Sequence, residues 1–139
     1  MSSSAFSANP STAAGDSYRP GVCNIGPAEI ARRRRIGHVG LAATLIALAG
    51  LVLAAAPPIA RLVLVVPAGA AASGYLQAAL RFCAGFGARG VFNFGELGPT
   101  TAVEDRAARV RDRRRSFEIN AASLLVGIVV AVVAVLLPL

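Results

Sequence analysis

Ile119 to Leu139 is a run of 21 residues without one charged side chain, and only Asn120 and Ser123 in it are polar. Wound as an α-helix it is about 30 Å long, the thickness of a bilayer's hydrocarbon core. Two further runs share this character. Ile36 to Ala56 is another 21 residues whose only polar side chains are His38 and Thr44. Ile59 to Leu80 is apolar apart from Arg61 near its start and Ser73, Tyr75 and Gln77 toward its end. Pro57 and Pro58 separate these two runs, and proline halts a helix because it lacks a backbone donor and displaces its predecessor. The expected fold is therefore all-α: a polytopic membrane protein with three transmembrane helices.

Composition agrees. With 139 residues, 55% of them hydrophobic and 15% charged, the chain makes one domain at most, and a soluble domain of that size has too little interior for so much apolar surface. Met1 to Pro20 is rich in Ser, Ala, Gly and Pro without apolar periodicity, so a disordered tail is expected, extending over residues 1–26. Gly26 and Pro27 followed by Glu29 mark a helix start, because proline suits the first turn and an acid suits the positive dipole end. A juxtamembrane helix and transmembrane hairpin then occupy residues 27–80. In that hairpin Arg61 is expected to snorkel to the interface and Pro67 to kink the second span.

Residues 81–118 form an interfacial, Phe-, Gly- and Arg-rich segment. Phe82, Phe86, Phe92 and Phe94 lie among the glycines of Arg81 to Gly98, which suggests chain lying at headgroup level. Thr101 with Glu104 has the form of a capping box, while Asp105 with Arg109 and Arg114 with Glu118 are spaced as i, i+4 pairs. A charged juxtamembrane helix is thus expected to run straight into the third span, residues 119–139.

Every one of the 14 basic residues is Arg, which with the abundant Ala suggests a GC-rich bacterial gene. Arg32, Arg33, Arg34 and Arg35 flank the first span; Arg81, Arg89, Arg106, Arg109, Arg111, Arg113, Arg114 and Arg115 precede the third. Positive flanks face the cytoplasm, so the N-terminus is expected inside and the C-terminus outside, in the inner or plasma membrane. The same arginines, above all Arg32 to Arg35 and Arg113 to Arg115, suit anionic lipid. Nucleic acid is a poorer match for the net charge of +7, because Glu104, Asp105, Asp112 and Glu118 interleave the second cluster.

Gly85-Phe86-Gly87-Ala88-Arg89-Gly90 has the spacing of a dinucleotide-binding fingerprint, but no strand precedes it, so it reads as interfacial turns and no cofactor is expected. Small residues line up at Ser123, Gly127 and Ala131, and at Gly69 with Ser73 and Ala70 with Gly74, on faces where helices can approach closely. Those partners are internal or external on this reading. Cys23, His38 and Cys83 all fall near the same membrane face and carry the only hint of site chemistry, as a thiol pair or as incomplete metal ligation. A lone histidine and the lack of any acid inside a span disfavour an enzyme.

Cys23-Asn24-Ile25-Gly26 ahead of the arginine run, and Gly74-Tyr75-Leu76-Gln77 leading to Arg81-Phe82-Cys83, resemble a pattern in small uncharacterised bacterial integral membrane proteins. The likeness covers about half the chain and implies membrane placement without an activity. Two functions follow as expectations. The first is a non-catalytic accessory or scaffold subunit meeting a membrane protein partner or its own copies; the alternative is a redox or metal-binding protein using Cys23 and Cys83. Ala54-Ala55-Ala56 also resembles an export cleavage site, although 21 apolar residues exceed a signal core of roughly 7–15.

Overall fold

The computed structural model describes residues 17–139. Helix α1 (Pro27–Leu53) is followed by a 3-10 stretch, Pro58–Leu64, that continues into α2 (Val65–Leu80). After these come the short α3 (Ala84–Arg89), strands β1 (Val91–Phe92) and β2 (Thr101–Ala102), and the long α4 (Arg106–Leu136). The fold is mostly helical, and three helical runs, Pro27–Leu53, Pro58–Leu80 and Arg106–Leu136, are long and apolar enough to cross a membrane. The strands pair antiparallel, Val91 opposite Ala102 and Phe92 opposite Thr101.

Local sequence sets the boundaries. Gly26 caps α1 with Pro27 in its first turn. Beyond Leu53 the chain turns through Ala55 at φ 51°, ahead of the two prolines. Pro67 falls in the first turn of α2, where its missing N–H is harmless, and the irregularity expected at Pro67 appears instead as the 3-10 geometry just before Val65. At the other end Arg81 takes a left-handed φ of 54°, and the Phe82 N–H returns to the Gln77 carbonyl at 3.0 Å.

Helix α2 lies between α1 and α4 and packs on both. Its contacts run through glycines. A methyl at Gly74 would stand 2.7 Å from the Arg33 carbonyl oxygen, one at Gly40 2.6 Å from the Ala71 nitrogen, and one at Gly127 2.6 Å from the Val65 carbonyl oxygen. Most of the small-residue positions read from the sequence are therefore occupied within the molecule, Gly74 against α1 and Gly69 against Ser123 and Gly127 of α4, while Ala70 stays exposed. The Ser123 and Thr44 hydroxyls fold back onto the carbonyls of Ile119 and Gly40, each at 2.7 Å, so neither enters the packed faces unsatisfied.

Arg61 does not snorkel outward. It is buried, its Nη1 donating to the carbonyls of Ala134 at 2.7 Å and Leu137 at 2.9 Å, and its Nη2 to Leu139 at 3.1 Å. A cation at a helix C-terminus meets both the orphan carbonyls and the negative dipole end, so this arginine ties the hairpin to the far end of α4.

Gly74→Ala should destabilise the detergent-solubilised protein by about 1–3 kcal/mol, because the added methyl meets backbone on the facing helix. Gly50, with nothing within 4 Å of its methyl position, makes the contrast: Gly50→Ala should be neutral or slightly stabilising, since Ala is the better helix former by about 1 kcal/mol. Equal thermal midpoints for the two variants would contradict the packing described.

Candidate functional site: the arginine-rich cap

Above the arginine-rich end of the three helices, the segment from Tyr18 to Gly26, α3, the strand pair and the first turns of α4 fold into a cap. This revises the expected tail: Cys23, Asn24, Ile25 and Gly26 are buried, whereas residues 1–16 lie outside the described part of the chain. Asn24 is the centre of the join. Its side-chain oxygen accepts from the Cys83 N–H at 2.6 Å and its amide donates to the Cys83 carbonyl at 3.1 Å. Its backbone N–H reaches the Arg81 carbonyl at 3.1 Å, and its carbonyl receives the Asn93 N–H at 3.0 Å. One fully buried residue thus joins the N-terminal segment to the end of α2, the start of α3 and the loop after β1.

Asp112 is the second anchor. Its carboxylate is fully buried and accepts from the Tyr18 hydroxyl at 2.6 Å and the Gly21 N–H at 2.7 Å. Tyr18 also stacks on Phe92, ring centroids 4.8 Å apart. Burial, then donation to Asp112 and the nearby negative charges of Asp112 and Asp105, push the Tyr18 phenol well above its ordinary range. The strap is therefore fully present below the usual tyrosine range and is lost only in strong alkali.

The phenylalanines form the core of this cap. Phe82 and Phe86 are buried, Phe82 beside Ala84 and Ile119, and Phe86 beside Ile25 and Cys83. The segment expected at headgroup level is thus a folded one, and its glycine motif is α3, closed by Gly90 at φ 71°. Gly87 lets this helix sit directly on Ser116 of α4.

The run Arg32 to Arg35 divides by role. Arg33 turns inward, only 8% exposed, with Nη2 3.4 Å from a Glu29 carboxylate oxygen and 2.8 Å from the Cys83 sulfur, and its guanidinium over the Phe86 ring at 5.8 Å. Glu29 is 1% exposed, in the first turn of α1, so Arg33 and the helix dipole are its compensation. Arg32, Arg34 and Arg35 point outward and make no hydrogen bond or ion pair among the described residues. In α4, Arg113 and Arg114 are exposed; Arg114 and the half-buried Arg115 pair with Glu118 at 3.5 and 3.3 Å. The Arg109 side chain donates to the Val103 carbonyl rather than to the Asp105 carboxylate.

Cys23, His38 and Cys83 form no three-ligand cluster among the described residues. His38 Nδ1 lies 2.7 Å from the Tyr75 hydroxyl, on the α1–α2 seam. The Cys23 sulfur is 3.8 Å from the Ile25 carbonyl oxygen, and the Cys83 sulfur is held by Arg33. Both cysteines are buried, no disulfide joins them, and among the described residues no three metal-ligating side chains come together. Their thiols belong to the packing of the cap, Cys83 in its apolar cluster with Ile25 and Phe86.

The sequence reading missed Tyr18, Asn24, Glu29 and Asp112 as positioning residues. The signal for Asp112 was present: Ala108, Asp112, Ser116, Ile119, Ser123, Gly127, Ala131 and Ala134 are the buried line of α4, and they recur every three or four residues. What the cap can do chemically is present cations on a braced frame. No family model, curated protein or solved structure matches this chain.

Proposed function

We propose that this protein is a non-catalytic accessory subunit of a membrane assembly, its cap on the cytoplasmic side of a bacterial inner membrane and its C-terminus outside. The observation that carries this reading is the single helix α4. Its lower part is an apolar span and its upper part, Arg106 to Glu118, is braced by Asp112 while Arg106, Arg111, Arg113 and Arg114 are exposed. A frame that fixes where the arginines are rooted suits an acidic protein surface, because docking then orders side chains but not the backbone that carries them. Gly69, Gly74, Ser123 and Gly127 are used internally, which favours a partner that meets the cap over one that packs on those glycine faces. The arginine asymmetry supports the orientation.

Purification from native membranes in mild detergent should bring down a second membrane protein, and Arg113→Glu combined with Arg114→Glu should release it. A lone monomer in several detergents would overturn the subunit reading. A reporter after Leu139 should be active only outside the cytoplasm, and one inserted in the exposed turn at Gly98 only inside; the reverse pattern would reject the orientation.

A further inference from the structure

On the outer side of the α1–α2 seam lies a cleft of about 630 Å³, lined by Arg32, Arg35, Ile36, Val39, Gly40, Ala43, Pro67, Ala70 and Leu97. Its lining changes along its length. Arg32 and Arg35 stand at one end, a helical turn apart, and Ile36, Val39 and Ala43 continue the same face of α1 into the apolar span. From Arg32 to Ala43 the helix rises about 16 Å, roughly half the hydrocarbon thickness of a bilayer. The floor is shallow-walled because Gly40 presses on Ala71 with no side chain between them, and Ala43 and Ala70 contribute only methyl groups.

We infer that this cleft is a binding site for one anionic glycerophospholipid, its phosphate on Arg32 and Arg35 and one acyl chain along Ile36, Val39, Ala43 and Ala70. Two observations select this occupant over a protein helix or a neutral lipid. The cleft is one leaflet deep, the length of a single lipid. Its rim holds two guanidinium groups that no carboxylate neutralises: Glu29 is committed to Arg33, and Arg32 and Arg35 have no ion pair among the described residues. Even with Glu96 next to Leu97 in the chain, the rim stays positive. Guanidinium binds phosphate in a planar, two-point manner, and the apolar floor takes the chain that free phosphate lacks. The site depends on membrane placement and not on any protein partner.

The test is native mass spectrometry of the whole purified protein titrated with phosphatidylglycerol or phosphatidylcholine, with inorganic phosphate as competitor. One phosphatidylglycerol per chain should be retained, phosphatidylcholine much less, and millimolar phosphate should not displace it. Arg32→Gln with Arg35→Gln should weaken retention roughly thirtyfold, about five- to sixfold per guanidinium. Ala43→Leu with Ala70→Leu, which fills the cleft and leaves the charges, should weaken it comparably. Arg113→Gln with Arg114→Gln should leave it unchanged. Both Ala43 and Ala70 are exposed, so those variants keep the fold. Equal retention of the two lipids, or full retention by the cleft-filled variant, overturns the site and leaves only diffuse attraction between arginines and lipid.

Discussion

Arg33→Met is expected to destabilise the protein by about 3–5 kcal/mol, far more than the same change at Arg34 next to it. The reason is the carboxylate it strands. Glu29 and Arg33 are respectively 1% and 8% exposed, one helical turn apart, and the Glu29 oxygens have no hydrogen-bond partner to take over. Removing one member of a buried pair leaves the other as an uncompensated charge, which is where the large cost arises. Arg34 is exposed and makes no ion pair, so Arg34→Met should stay within about 0.5 kcal/mol. Glu29→Gln combined with Arg33→Met removes both charges at similar volume and should recover most of the loss. Denaturant unfolding in detergent, followed by circular dichroism, reads all three. If Arg33→Met and Arg34→Met unfold together, or the double variant is as weak as Arg33→Met alone, a stranded Glu29 carboxylate is not what makes Arg33 costly to lose.

The same pair shows where sequence reading succeeds and where it stops. Membrane spans are legible because the bilayer demands about 20 consecutive apolar residues, and the three apolar runs meet that demand without any knowledge of neighbours. The start of α1 at Gly26 and Pro27 is legible for a similar reason: proline at the first helical position is a local property. The run Arg32 to Arg35 is legible as charge but not as structure. Four identical side chains give no sign that the second meets Glu29, Phe86 and a sulfur fifty residues away. Helical phase decides it, because Arg33 shares a face with Glu29, Gly37 and Gly40, the buried line of α1.

Competition between local signals explains the misplaced start of α4. Thr101 and Glu104 have the spacing of a capping box, but Thr101 is drawn into the strand pair opposite Phe92. The cap falls to Asp105, whose carboxylate accepts from the N–H groups of Ala107 and Ala108 at 3.4 and 3.2 Å. Either residue can cap a helix, and a tertiary pairing chose between them. The aromatic cluster is legible only in part for the same reason: its composition suits a headgroup layer but does not tell that Phe86 packs on Ile25 and Phe82 on Ala84 and Ile119, contacts that only the tertiary fold supplies.

Asn24→Ala should open that cap, with a loss of about 2–4 kcal/mol. The Cys83 carbonyl keeps a second partner, the Gly87 N–H at 2.9 Å, but the Cys83 N–H is given only to Asn24. A buried N–H left without an acceptor costs about 1–3 kcal/mol, and the vacated amide volume adds to it. The damage is local, because α1, α2 and α4 keep their glycine contacts, so the thiols report it better than global unfolding. Cys23 and Cys83 are 1% and 4% exposed, and maleimide reaches them only when the cap swings away, at a rate set by the open fraction. The stated loss corresponds to labelling faster by roughly 30-fold to 1000-fold at about 1.4 kcal/mol per tenfold. Asn120→Ala, at an exposed position of α4, should leave the labelling rate where it was. Should Asn24→Ala label as slowly as the unaltered protein, the cap is held by its aromatic core and the Tyr18–Asp112 strap, and Asn24 is not its fastener.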